Sequence, residues 1–167
     1  MLLQLHVQNL LIIDNLDVSF KDGFTVITGE TGSGKSVILT CLSLALGDKG
    51  ASANLIKSGQ DKASVSCVFQ IKNEFLREKF FSLGLLEKTE DIVIIKKIIT
   101  KSGSRSFIND SPVTVNLLNE ISPYFLEINS QFENSTLFFA KNYIDILDNF
   151  AKIKNKISIP IIIILAL

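Results

Sequence analysis

The stretch from Thr25 to Thr40, TVITGETGSGKSVILT, limits what this chain can be more than any other part of it. An apolar run over Phe24 to Ile27 reads as a buried strand. It stops at Gly29, and from Lys35 the sequence KSVILTCLSLAL places apolar residues at helical spacing, so residues 29–34 turn the chain between the two elements. Gly29, Gly32 and Gly34 permit backbone angles that other residues resist, and successive N–H groups can then converge on an anion. The turn also opens a helix, whose unpaired leading amides and dipole favour negative charge. The pattern Gly-x-x-x-x-Gly-Lys-Ser is therefore expected to cradle phosphates with Gly29, Glu30, Thr31, Gly32, Ser33, Gly34, Lys35 and Ser36. Lys35 is suited to the β- and γ-phosphates, and the Ser36 hydroxyl to the Mg²⁺ that bridges them. The implied ligands are ATP and Mg²⁺. A glycine-rich turn with a chance lysine is the bland alternative, and the strand before and helix after the loop speak against it. The loop by itself does not choose among kinase, GTPase, transporter ATPase and repair ATPase.

Composition narrows the choice a little. At 167 residues the chain can bury one real core. Lys and Arg together number 17, as do Asp and Glu, so net charge gives no argument for a basic nucleic-acid-binding protein. Cys41 and Cys67 lack metal-ligand or redox spacing and read as buried thiols in a reducing compartment. His6, alone in an alternating apolar segment, reads as structural. The opening residues have no basic segment before their apolar ones, so no signal peptide is expected and the protein is read as cytoplasmic.

Along the chain, LLQLHVQ, LDVSF and FTVIT suggest three strands leading into the loop, with an antiparallel sheet beside a parallel one. After the loop helix, GDKGASANLIKSGQDK is a polar connection and ASVSCVFQI a strand. NEFLREKFFSLGLL is helical, with Phe75, Leu76, Phe80, Leu83 and Leu86 recurring on one face. DIVIIKKIIT and SRSFIND form a hairpin about Lys101-Ser102-Gly103. SPVTVNLLNEIS is a short helix capped by Thr114 or Ser111. PYFLEIN is a further strand, and KNYIDILDNFA a last helix. Residues 1–151 then make one folding unit. The apolar run in 152–167 is shorter than the roughly 18 residues of a membrane span and reads as a tail foreign to the fold.

Four stretches, in order, give the chain a family likeness: LQLHVQNLLIIDNLDVSF, GFTVITGETGSGKSVILTCLSLALGDKGAS, SGSRSFINDSPVT and FLEINSQFENSTL. Together they resemble the N-terminal part of the RecN family of bacterial double-strand-break repair proteins, of the SMC type of ABC ATPase. TGETGSGKS followed by a helix and LGDKGAS is the most specific of the four. The resemblance implies a P-loop NTPase of α/β class, specifically the N-terminal lobe of an ABC head with a mixed β-sheet. In such a head a coiled-coil arm and a C-terminal lobe follow. By position it makes Gln131 the Q-loop glutamine, a second Mg²⁺ ligand beside Ser36. The family's histidine-rich segment is replaced by Asn129-Ser130-Gln131-Phe132-Glu133-Asn134, and Gly103 stands where the family has an arginine. Arg105 and Asn109 match the family and serve equally well as turn and surface residues.

ABC hydrolysis also needs a strand ending in Asp-Glu and a Leu-Ser-Gly-Gly signature whose helix faces the opposite subunit's ATP. Neither pattern occurs in the chain. Three expectations stay open at this point. The first is an ATP-binding fragment that hydrolyses ATP only when a C-terminal RecN-like lobe is supplied in trans, or as a complemented homodimer of heads, meeting DNA through the complete protein and no membrane. The second is a self-sufficient phosphotransferase using Glu127 or Asp91. The third is the remnant of a disrupted gene.

Overall fold

The computed structural model describes residues 1–23, 25–30, 34–48, 50–129 and 161–164. Six strands build one antiparallel sheet: β1 (Leu2–Leu10), β2 (Ile13–Ser19), β3 (Lys62–Gln70), β4 (Ile92–Thr100), β5 (Gly103–Ile108) and β6 (Ser111–Val113), in the spatial order β2-β1-β3-β4-β5-β6. Every neighbour pair is antiparallel. Among the described residues three α-helices, α1 (Lys35–Ala45), α2 (Glu74–Ser82) and α3 (Val115–Ile121), interrupt the strand sequence. A short strand β7 (Leu126–Asn129) pairs in parallel with β8 (Ile161–Ile164) in a sheet of its own.

The period of two in β3 and β4 decides which face is covered. Ala63, Val65, Cys67 and Phe69 of β3 are buried, as are Val93, Ile95 and Ile99 of β4 and Leu5, Val7 and Leu10 of β1. Onto this face pack Cys41, Leu42, Leu44 and Ala45 of α1, Leu76 and Phe80 of α2, and Leu118 and Ile121 of α3. Each Val, Leu, Ile or Phe among them contributes about 1.5–3 kcal/mol relative to leaving it in water. Phe125 joins the layers, its ring 4.7 Å from that of Phe69 and edge-on to Phe80 at 5.9 Å. The other face mixes polar residues with Val68, Ile92, Ile94 and Ile98, and there His6 pairs across strands with Asp17 at 2.6 Å. The histidine is thus a surface partner of a neighbouring strand, a structural role.

Most expected elements form near the expected bounds. Thr114 caps α3, its side chain accepting from the Leu117 amide at 3.2 Å, while Ser111 enters β6. The α2 face departs from its period: Phe75 and Leu83 are 50% and 48% exposed. Phe75 lies against the Tyr124 ring instead, at 6.2 Å. The expected helix KNYIDILDNFA lies outside the described residues.

One expectation is corrected. The composition of FTVIT predicts a buried strand, yet residues 25–30 have no strand pairing, and Val26 is 56% exposed. A phosphate-bearing parallel strand needs hydrogen-bonding neighbours and cover on both faces. The antiparallel sheet ends at β2 and β6, and among the described residues no strand lies beside 25–30.

Candidate nucleotide-binding site

The site is the start of α1. Gly34 precedes it in the left-handed region, φ 95° and ψ 7°, where glycine carries little penalty. Its carbonyl accepts from the Val37 amide at 3.0 Å and the Ile38 amide at 3.3 Å, so helical bonding begins there. The amides of Lys35 and Ser36 come before the first possible intrahelical acceptor. Among the described residues no side-chain cap hydrogen bond forms at this end, and no acidic residue sits in the first turn. Leading amides without an intrahelical acceptor, at a helix's positive end, are the chemistry that attracts phosphate.

Lys35 turns back over the loop, its Nζ donating to the Gly29 carbonyl and tying the loop's last residues to its first. Gly29, Glu30 and Ser36 are at least partly open to solvent. The Ser36 carbonyl accepts from Thr40 Oγ1 at 3.1 Å. Thr31, Gly32, Ser33 and Gln131 lie outside the described residues. The residues present fit a phosphate ligand: an uncapped helix start, a lysine within reach and no competing carboxylate on the first turn. A hydroxyl on the second helical residue fits one coordination position of Mg²⁺, whose remaining ligands are usually phosphate oxygens and water. Among the described residues no cluster of three or more His, Cys, Asp or Glu could hold a metal by itself.

The far end of α1 is fixed by residues that the motif does not include. Gly47 follows the helix at φ 108° and is packed against α3. A Cβ there would lie 2.6 Å from Asn119 Oδ1 and 2.9 Å from Leu118 Cβ. The next residue, Asp48, offers its carbonyl to Lys97 Nζ at 2.8 Å. Lys97 is only 1% exposed, on the core face of β4, and burial lowers its pKa below the ordinary lysine value while Asp48 acts in the opposite direction. Together they anchor the phosphate helix to α3 and to the sheet.

The hairpin between β1 and β2 reaches the near end of α1. Its two-residue turn is Leu11-Ile12, and Ile12 Cδ1 lies 3.5 Å from where a Cβ on Gly34 would stand. The remaining sequence candidates are engaged elsewhere. Asn109, at φ 45°, accepts from the Ile94 amide at 2.8 Å and donates to the Leu85 carbonyl at 2.9 Å, so it is a turn residue between β5 and β6. Arg105 pairs in register with Ile98 on the open face of the sheet. Asp91 accepts from Gln70 Nε2 at 2.7 Å. Burial pushes the Cys41 thiol up to about 11 and raises that of Cys67 as well, so both are poor thiolates, consistent with core roles. No helix among the described residues is long and apolar enough to cross a membrane.

Comparison with known proteins agrees with this geometry. The AAA domain family matches residues 4–161. The DNA repair protein RecN of Rickettsia bellii is 36% identical over 148 residues, covering 87% of this chain and 26% of the relative. The chain thus spans about a quarter of the length of the curated relatives it matches. Among solved structures, the Smc head domain with an extended coiled coil from Pyrococcus furiosus superposes with a TM-score of 0.63 at 21% identity, over 92% of this chain and 43% of that one. The recombination mediator RecF with ATP superposes with a TM-score of 0.58 at 18% identity, over 78% of this chain and 33% of that one. These superpositions establish the head-type α/β fold: a six-stranded antiparallel sheet carrying a phosphate-loop helix on one face. The chain belongs to the AAA domain family, and within that family its likeness is to RecN.

Proposed function

We propose that this chain binds ATP with Mg²⁺ as the N-terminal part of a RecN-like ATPase acting in repair of DNA double-strand breaks and recombination. One observation carries the reading: α1 begins at a left-handed glycine with its leading amides uncapped, and Lys35 reaches across the same loop. Main-chain amides at the helix start then take the phosphate oxygens. Lys35 releases Gly29 and moves to the terminal phosphates, and Ser36 contributes an oxygen to the metal. Gln131, by the family pattern, supplies a further metal ligand.

Hydrolysis is assigned to a complete head. Among the described residues the stretch 25–30 has no strand neighbour, which supports this, because a phosphate strand needs pairing partners on both sides. A C-terminal lobe in trans, or a head dimer completed in that way, would bring the missing strands, the acidic base and the signature helix. DNA would be met through that complete protein, in the cytoplasm. Residues 152–167 are proposed to be an addition to the native lobe, with Ile161–Ile164 borrowing β7 as a pairing partner. Of the two candidates for a phosphotransferase working alone, Asp91 is held by Gln70, and the Glu127 side chain lies outside the described residues.

Phosphate release from Mg-ATP tests the proposal. The chain alone should give none above background, and turnover should appear when a polypeptide carrying the remainder of a RecN relative is added. Turnover by the chain alone would favour the self-sufficient enzyme. Silence in the mixture would argue against a split head.

A further inference from the structure

We infer that β8, the strand in the chain's tail, occupies the edge of β7 through which this lobe would pair with a C-terminal lobe, and so competes with that lobe; this rests on the split-head reading above and deepens it. The two strands of the small sheet differ in origin. β7 lies in FLEIN, within one of the stretches that carry the family likeness, and it is tied to the core. Leu126, its first residue, is buried, and Phe125 just before it packs its ring against those of Phe69 and Phe80. β8 belongs to the tail, and the family match stops at residue 161, where β8 begins.

The pairing is parallel and in register, from Leu126 with Ile161 through Asn129 with Ile164. Parallel strands ordinarily belong to larger sheets covered on both faces, and a two-stranded sheet is marginal by itself. The β7 edge is therefore a place for a strand of a larger parallel sheet. Among the described residues β8 is the one strand paired with it, since β1 to β6 form a separate antiparallel sheet and residues 25–30 have no strand neighbour. Ile161–Ile164 suits this place: four β-branched residues favour a pleated backbone, no charge guards them, and Pro160 precedes the strand without interrupting it. A strand carried on the same chain meets β7 at high effective concentration, so a lobe supplied in trans must displace it. The apparent affinity for that lobe then falls with the fraction of chains in which β7 is open.

Titration calorimetry of the full chain with a polypeptide carrying the remainder of the Rickettsia bellii RecN relative tests this. Ile162→Pro together with Ile163→Pro removes a backbone donor from each edge of β8 and should free β7. Association should tighten about tenfold, as expected where β8 leaves β7 open about a tenth of the time. A second variant works in the opposite direction. Asn129→Cys with Ile164→Cys places thiols at a register pair, and oxidised glutathione should join them while the buried Cys41 and Cys67 stay reduced. The joined chain should show no measurable association, and reduction should restore it. Failure of the pair to join overturns the inference, and so does an unchanged affinity in the proline variant. Undiminished association of the joined chain overturns it too, by placing the lobe on the other edge of β7. If the native chain, the proline variant and the reduced cysteine pair all fail to associate, the split-head reading fails and the inference falls with it.

Discussion

Replacing Lys35 with alanine should remove ATP binding and leave the fold as it is. In the proposed complex the ammonium meets the β- and γ-phosphates, and a hydrogen bond to a charged group contributes about 1.5–3 kcal/mol. Removing two such hydrogen bonds at once weakens binding by about 3 kcal/mol or more, over a hundredfold. The same side chain contributes little to stability, because among the described residues it bonds only to the exposed Gly29 carbonyl. Calorimetry should therefore show no measurable ATP heat for Lys35→Ala, with a thermal unfolding curve within a few degrees of the native one. Ser36→Ala in the same titrations should lose more affinity for Mg-ATP than for ATP in chelator. Native-like affinity in Lys35→Ala would place the phosphates elsewhere.

Gly47→Ala should cost about 2–4 kcal/mol of stability, from a methyl group that touches no ligand. Two penalties add. The backbone there is at φ 108°, outside what an L-residue adopts easily, and the new Cβ would press on Leu118 Cβ at 2.9 Å and the Asn119 amide nitrogen at 3.3 Å. Asn119 Oδ1, at 2.6 Å, belongs to an exposed side chain that can swing away; Leu118 is fully buried and cannot. Gly59 supplies the control. It has φ 83° but nothing within 4 Å of a new Cβ, so Gly59→Ala carries the backbone penalty without the clash. Urea unfolding should show a lower midpoint for Gly47→Ala than for Gly59→Ala at a similar slope. Equal midpoints would mean that α3 does not press on the end of the phosphate helix.

Lys35 and Gly47 differ in how legible they are in the sequence. Lys35 is marked by its spacing from Gly29 and Gly34, because the loop is a local device whose parts lie within eight residues. The antiparallel strands are legible for a similar reason: alternation in ASVSCVFQI and DIVIIKKIIT is a short-range record of one buried face. Thr114 is likewise readable as a cap.

What escapes a sequence reading is non-local. FTVIT has strand composition, but a strand exists only with neighbours, and those neighbours cannot be read from five residues. Lys97 does leave a sign in the sequence. Two consecutive lysines in an alternating strand cannot both face solvent, and the register with Ile95 and Ile99 puts Lys97 inside. Ile12 also leaves a sign, since LLII at a hairpin turn replaces the polar residues a turn prefers. Gly47 stands within the family stretch LGDKGAS, although only the packing of Leu118 and Asn119 explains why glycine is required there. The Phe75 and Leu83 positions show the opposite error, a helical period continued beyond what the neighbouring elements cover.

The function proposed for this chain depends on main-chain amides at the start of α1, with Lys35, holding the triphosphate of ATP. The direct measurement is titration of ATP into the native chain by calorimetry, with and without Mg²⁺, on protein whose cooperative melt shows it folded. Saturable binding at one site, tighter with Mg²⁺, is the expected result. A folded chain that yields no binding heat under either condition would contradict it.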